Sequence, residues 1–303
     1  MTVATINRHL GYQHELCPTA DGWIFVLGAG GIEGWDSDVR PPPDHMTLAT
    51  AEELAGLDFD IFLAQTVPDW NWAQEHVTDK PVVCLEHCTP LILSPYEAHP
   101  NTNLLVVANN LMAQMWVSHN DLEPVVIVNG VTQDEYPEWC GGNERVLTLR
   151  NAHKQRGEYT GYELWSKVAE AFPVDLYGFD NEGWQNSRDW VKTKALFQTY
   201  EVYLDCTICN QPGFALLEAM ATGMPIVCRT VGEYPITVEH GVSGFSFSGD
   251  DLGNVYPYLF CLLRDDKLRQ RFSEAVRERA ARLFSGERFR REWRQVFERA
   301  VGK

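Results

Sequence analysis

The chain has 303 residues with 42 Asp/Glu against 25 Lys/Arg, a formal net charge of -17, and is 45% hydrophobic and 12% aromatic. This apolar content is enough for two packed cores and excludes disorder as the main state. No run of about 18 apolar residues could span a membrane and no basic-then-apolar leader opens the chain, so a cytoplasmic protein with eight reduced, structural cysteines is expected.

The charge is unevenly spread. Residues 1–145 hold 21 Asp/Glu and only four Lys/Arg (Arg8, Arg40, Lys80 and Arg145), whereas residues 146–303 hold 21 of each. The whole negative excess therefore belongs to the first half.

In chain order, residues 6–17 read as a helix after a very short strand, and the three consecutive prolines within 39–46 exclude a helix there. Residues 23–27, 59–64, 81–85, 104–108 and 125–128 read as strands, followed by 146–149, 174–177, 202–205, 226–228 and 244–247. Many are solidly apolar, as strands of a parallel sheet covered on both faces are. Alternating with helical patterns, they point to two doubly wound α/β domains.

Pro137 and the Gly141-Gly142 pair interrupt the pattern where the charge balance changes, which sets the domains at 1–140 and 141–285. In the last segment, 286–303, Phe289, Trp293, Val296, Phe297 and Ala300 form one apolar helical stripe that must pack on a surface.

Residues 209–245 are the most informative. Gly213 precedes the strong helix former Phe214-Ala-Leu-Leu-Glu-Ala-Met-Ala221, which Gly223 and Pro225 stop before the apolar strand 226–228. A helix that starts at an exposed glycine offers unpaired N–H groups and the positive end of its dipole, a fit for phosphate. Glu218, one turn inside, would repel that phosphate unless it reached sideways to hydroxyls, and a ribose would supply them.

This segment resembles the retaining, nucleotide-sugar-dependent glycosyltransferases of the GT-B fold, the group typified by glycogen, sucrose and mannosyl transferases. Gly213, Glu218, Ala219, Met220, Ala221, Gly223, Pro225, Ile226 and Val227 fall in register with that family's E-x-F-G-x-x-x-x-E-A-M-A-x-G-x-P-V-V pattern. Val231-Gly232, Pro235, Gly241 and Gly244 continue it. Residues 125–137, VVIVNGVTQDEYP, and 146–157, VLTLRNAHKQRG, resemble its inter-domain segment and its basic loop.

The resemblance implies two facing Rossmann-like domains with a central cleft. The first domain takes the acceptor, the second the donor, a UDP- or GDP-sugar, and the last helix returns to the first domain. It implies Glu218 on the ribose, and Arg150 with Lys154, or alternatively Arg156, on the diphosphate. The backbone N–H groups of Gly213, Phe214 and Ala215 complete that cradle. Asn210 falls where the family has its first glutamate, so either donor choice is altered or activity is lost. His87, at the end of a strand, falls where a family histidine meets the donor sugar, and its alternative is a structural role. The Gly28-Ala-Gly-Gly31 loop is a turn first and a phosphate contact second.

Trp70 and Trp72 are the aromatic candidates for the acceptor site; Trp35, Trp139, Trp184 and Trp190 also fall in segments that read largely as loops. Cys206-x-x-Cys209, even with Cys84 and Cys88, does not require a metal site, and none is expected. The function expected is transfer of a sugar, with retention and without metal, to a soluble, neutral or cationic acceptor bearing a hydroxyl.

Two rivals stand beside it: a non-catalytic nucleotide-sugar binder that has lost turnover through Asn210, and a phage-type transferase acting on modified DNA bases. Four cations in the first 145 residues argue against a nucleic-acid partner and against docking on an anionic membrane. Base, sugar, acceptor and oligomeric state stay open.

Overall fold

The computed structural model describes residues 1–87, 104–120, 123–184, 189–208, 212–250 and 252–302, the side chains of 118–120 excepted. The chain divides into two compact units, Met1–Gly130 with Gly286–Lys303, and Val131–Ser285.

In the first unit the elements run β1 (Thr2–Ile6), α1 (Leu10–Leu16), β2 (Gly22–Leu27), β3 (Met46–Thr50), α2 (Ala51–Leu54), β4 (Ile61–Ala64), α3 (Val67–His76), β5 (Val82–Glu86), β6 (Leu105–Val107), α4 (Asn110–Asn120) and β7 (Val125–Val126). All strands are parallel, in the order β3-β2-β1-β4-β5-β6-β7. The core on one face gathers Ile6, Val26, Phe62, Val107, Met112 and Trp116. The start of the unit and its sheet edge differ from the sequence expectation. The first strand takes five residues and α1 begins only at Leu10, because the His9 ring caps it by accepting from Tyr12 N at 3.2 Å. Strand β3 is a further edge strand whose Thr47, Leu48 and Thr50 are exposed, so it carries no apolar run.

The second unit runs β8 (Val146–Leu149), α5 (Tyr162–Ala171), β9 (Val174–Tyr177), α6 (Trp190–Thr199), β10 (Val202–Asp205), α7 (Phe214–Thr222), β11 (Ile226–Arg229), α8 (Tyr234–Thr237), β12 (Phe245–Phe247), α9 (Leu252–Arg264) and α10 (Asp266–Leu283). Its parallel sheet has the order β12-β11-β10-β8-β9. Residues 131–140, assigned to the first domain from the sequence, lie in this unit. Trp139 N donates to Thr222 O and Cys140 N to Gln198 O, both at 2.9 Å, and these bonds tie the segment to the ends of α7 and α6.

The last helix, α11 (Gly286–Ala300), lies in the first unit. Its stripe of Phe289, Trp293, Val296 and Phe297 is buried, Trp293 Nε1 donates to Tyr12 Oη at 2.9 Å, and Trp23 meets Phe297 edge-on. Arg290 faces the buried Glu15 at 3.5 Å and Arg294 donates to Pro18 O at 3.2 Å, so the basic face of α11 is used within the acidic unit. Among the described residues no helix is long and apolar enough to cross a membrane.

Candidate active site

Strand β8 opens the second sheet; β9 lies on one side of it, and β10 and then β11 lie on the other. The strand order therefore reverses between β8 and β10, and in open α/β sheets the crevice beyond the C-terminal ends of such a pair receives the ligand. Arg150 directly follows β8 and Asp205 ends β10. Arg150 Nη2 donates to both carboxylate oxygens of Asp205 at 2.9 Å.

Both groups are removed from water, Asp205 being only 1% exposed. Burial alone would lower the pKa of Arg150, but the Asp205 carboxylate holds it above the ordinary arginine value. Burial likewise pushes Asp205 up, and Arg150 with the Thr207 hydrogen bonds brings it below the usual aspartate range. Both stay ionised in each other's company.

Gly213 caps α7 in extended geometry, φ -72° and ψ 159°, and its carbonyl accepts from Leu216 N at 3.0 Å. Gly213, Phe214 and Ala215 are half-buried whereas residues 216–222 are buried, so only the first turn of α7 is open. Such a helix, buried on every side after its first turn and apolar except at Glu218 and Thr222, belongs between layers. Its other end stops at Gly223, φ +90°, where a Cβ would stand 3.0 Å from Ser273 Oγ on α10. Arg150 Nη1 lies 3.7 Å from the position a Cβ on Gly213 would take. A guanidinium edge and the start of α7 thus share one spot.

Glu218 is buried on α7, and its charge reaches Tyr203, whose phenol is held above its ordinary pKa by burial first and by Asp205 and Glu218 as well. The two companion cations separate. Arg156 stacks on Tyr159, 4.8 Å from the ring centroid, and Tyr159 O accepts from Ile208 N in the loop that leads to α7. Lys154 instead lines a cavity of about 580 Å³ with Gln155, Tyr162, Leu176, Asn181, Glu182 and Trp184. His153 marks the division. Its imidazole is pushed down to about 4 by burial, then by Arg150, with Asp205 opposing and Arg156 adding.

In the first unit the strand order reverses between β1 and β4, and His87 follows β5, the next strand along. Its ring stacks on His9 at 5.8 Å and meets Tyr12 edge-on at 4.8 Å. Burial, then His9, hold its pKa at about 3, so it is neutral near pH 7. The tryptophan candidates, Trp70 and Trp72, both sit on α3 rather than in a loop; Trp70 is 7% exposed within the core, and Trp72 packs between Phe62 and His76. A buried Trp70 offers no face to a sugar.

The glycine loop after β2 is a turn: Gly28 and Gly30 have φ +77° and +75°, and a Cβ on Gly31 would stand 2.3 Å from Asn7 O. Asn210 and Cys209 lie outside the described residues, as does Cys88. Among the described residues no group of three His, Cys, Asp or Glu side chains could hold a metal. Asp205, Tyr234 and His153 had no place in the sequence reading. For Asp205 a signal existed, a charged residue ending an otherwise apolar strand.

Over nearly its whole length the chain is similar to solved glycosyltransferases. Anabaena HepE, solved with UDP and glucose, is 14% identical, with a TM-score of 0.73 over 98% of this chain and 99% of that one. Sucrose-phosphate synthase from Thermosynechococcus elongatus is 12% identical, with a TM-score of 0.73 over 99% and 98%. The fold is GT-B, two Rossmann-like α/β units.

Residues 180–279 match the family model of glycosyl transferases group 1. That family segment lies in the unit that holds Arg150, Asp205 and Glu218. Among curated proteins, the N-acetyl-alpha-D-glucosaminyl L-malate synthase of Bacillus anthracis is 31% identical over 85 residues, 28% of this chain and 22% of that protein. The D-inositol 3-phosphate glycosyltransferase of Corynebacterium kroppenstedtii is 33% identical over 91 residues, 30% of this chain and 20% of that protein. The matched segments thus span about a fifth of the length of those relatives.

Proposed function

We propose that the chain is a glycosyltransferase that binds the nucleotide diphosphate of a UDP- or GDP-sugar at the switch point of its second unit and passes the sugar to an acceptor hydroxyl. One observation carries this reading: Arg150 Nη1 stands beside Gly213 at the open first turn of α7. A diphosphate leaves only if its developing charge is met. Arg150, Arg156 and the N–H groups of Gly213, Phe214 and Ala215 are the donors that meet it, and removing one such donor commonly costs about 3–4 kcal/mol of barrier stabilisation. Glu218 takes the ribose hydroxyls. The similarity to HepE, solved with UDP and with UDP-glucose, supports a uridine donor.

In this reading the reaction retains anomeric configuration by front-face substitution, the departing phosphate accepting the proton of the acceptor hydroxyl. The proposal calls on no metal. His87, neutral near pH 7, is assigned to the donor sugar, with Asn210 as a hydrogen-bonding contact in place of a carboxylate. The acceptor is soluble and neutral or cationic, which the negative excess of residues 1–145 supports.

The test is incubation of the full chain with a panel of UDP- and GDP-sugars, each with a panel of small hydroxyl-bearing acceptors and with water alone, following release of free nucleotide. Release with one of them supports the enzyme, and NMR of the transferred sugar reads the anomeric outcome. Nucleotide binding with no release across the panel replaces the enzyme by a non-catalytic binder.

A further inference from the structure

Asp205 is a meeting point of three loops. Besides the two contacts from Arg150 Nη2, its Oδ1 accepts from Thr207 N at 2.9 Å and its Oδ2 from Tyr234 Oη at 3.1 Å. Arg150 comes from the loop after β8, Thr207 from the loop after β10, and Tyr234 from the start of α8 after β11. Since β10 lies between β8 and β11, one carboxylate joins the loops on both sides of its own strand.

The consequence for Arg150 is directional. A guanidinium has five N–H donors in a fixed planar fork. Once Nη2 is held by Asp205, the plane and heading of the group are set, and Nε and Nη1 remain. Among the described residues neither has an acceptor, and Nη1 is the atom beside Gly213.

Charge alone would favour a different arrangement. An arginine without a counter-ion attracts a diphosphate more strongly than one already paired, so a site built for attraction would leave Asp205 out. A site built for aim would keep it, because a donor misplaced by about 1 Å can cost on the order of 100-fold in rate.

We infer that Asp205 is a positioning residue that holds the Nε/Nη1 edge of Arg150 at the first turn of α7 for the diphosphate of the donor. This rests on the donor-site reading above. Asp205 itself touches no substrate; it acts through Arg150.

The test is calorimetric titration of UDP and of GDP into the full chain and into Asp205→Asn at physiological ionic strength, below the melting temperature of each. Asparagine keeps an acceptor for Thr207 N but gives up the symmetric hold on Arg150 and removes one negative charge from the site. Positioning demands about tenfold weaker binding or more. A counter-ion role gives the opposite sign, tighter binding, and a purely structural role leaves affinity unchanged while lowering the melting temperature; either result overturns the inference.

Tyr234→Phe removes one donor to Asp205 without changing charge, and a smaller loss of affinity in the same direction is expected. If Asp205→Asn does not fold, unchanged affinity in Tyr234→Phe overturns the inference. Absence of nucleotide binding by the unsubstituted chain overturns the donor-site reading and this inference with it. Binding that Asp205→Asn retains overturns this inference alone.

Discussion

Arg150 Nη1 and the bare Cα of Gly213 face each other, with 3.7 Å between the nitrogen and the place a Cβ would occupy. The gap is ordinary contact distance, so a Cβ fits there without strain, and Gly213 has a φ of -72° that any residue adopts. Serine is a better helix cap than glycine by a few tenths of a kcal/mol. Gly213→Ser is therefore expected to leave the melting temperature equal or slightly higher, while its side chain occupies the phosphate position and weakens UDP or GDP binding at least about tenfold. Unchanged affinity in calorimetry would remove the diphosphate from this spot.

The two cations of the loop after β8 give a second contrast. Arg156, stacked on Tyr159, acts electrostatically on the same His153 as Arg150, whereas Lys154 lines the cavity with Trp184. Arg156→Ala should lower nucleotide affinity by roughly tenfold and flatten its dependence on salt. Lys154→Ala should change affinity less than about twofold. The reverse ranking would make Lys154, not Arg156, the companion of Arg150.

His153 provides a pH test of the fold around the site. Its pKa is about 4 in the folded chain against an ordinary 6.5, so between these values the unfolded chain binds a proton that the folded chain does not. Stability therefore falls as pH drops from about 6.5 to about 4 and this contribution levels off below. The group accounts for about 3 kcal/mol across that window. Urea titrations at stepped pH should show a shallower decline for His153→Gln than for the parent chain. Parallel curves would mean that His153 titrates normally.

In the first unit, Trp293 is fully buried and bonds Tyr12. Trp293→Ala should cost about 3–5 kcal/mol. The loss is expected in the first unit, read by exchange protection of β1 and β2 amides, with the amides of β8 and β10 unaffected. Uniform loss in both sheets would show that the two units unfold together.

The buried parallel strands were legible because residues such as Phe62, Leu63, Val83, Leu147 and Leu204 face apolar layers on both sides, and that burial writes continuous apolar runs. An edge strand writes no such run, so β3 was not visible. The segment holding Trp70 and Trp72 reads as a loop for a different reason. Pro68 and Asp69 look like turn residues, yet Thr66 accepts from Asp69 N at 3.2 Å, which makes Thr66-Val67-Pro68-Asp69 the start of a helix.

At the site, Gly213 and Glu218 are local in sequence and were readable from the shape of one helix. The Arg150–Asp205 pair joins residues 55 positions apart, and nothing within either segment announces the other. The charge asymmetry was readable in sign, while its use within the first unit, Arg290 of α11 facing Glu15, required the fold.

The most direct measurement of the donor site is titration of UDP and GDP into the unsubstituted chain and into Glu218→Ala, followed by calorimetry and by the shift in melting temperature. A ligand at about 100 times its dissociation constant adds about 2.7 kcal/mol to the stability of the state that binds it. The expected result is a clear shift with one of the two nucleotides, lost or reduced by at least about tenfold in affinity in Glu218→Ala, with both proteins folded alike. A chain that binds neither nucleotide, or a Glu218→Ala variant that binds as tightly as its parent, contradicts a donor site built on Glu218 and the start of α7.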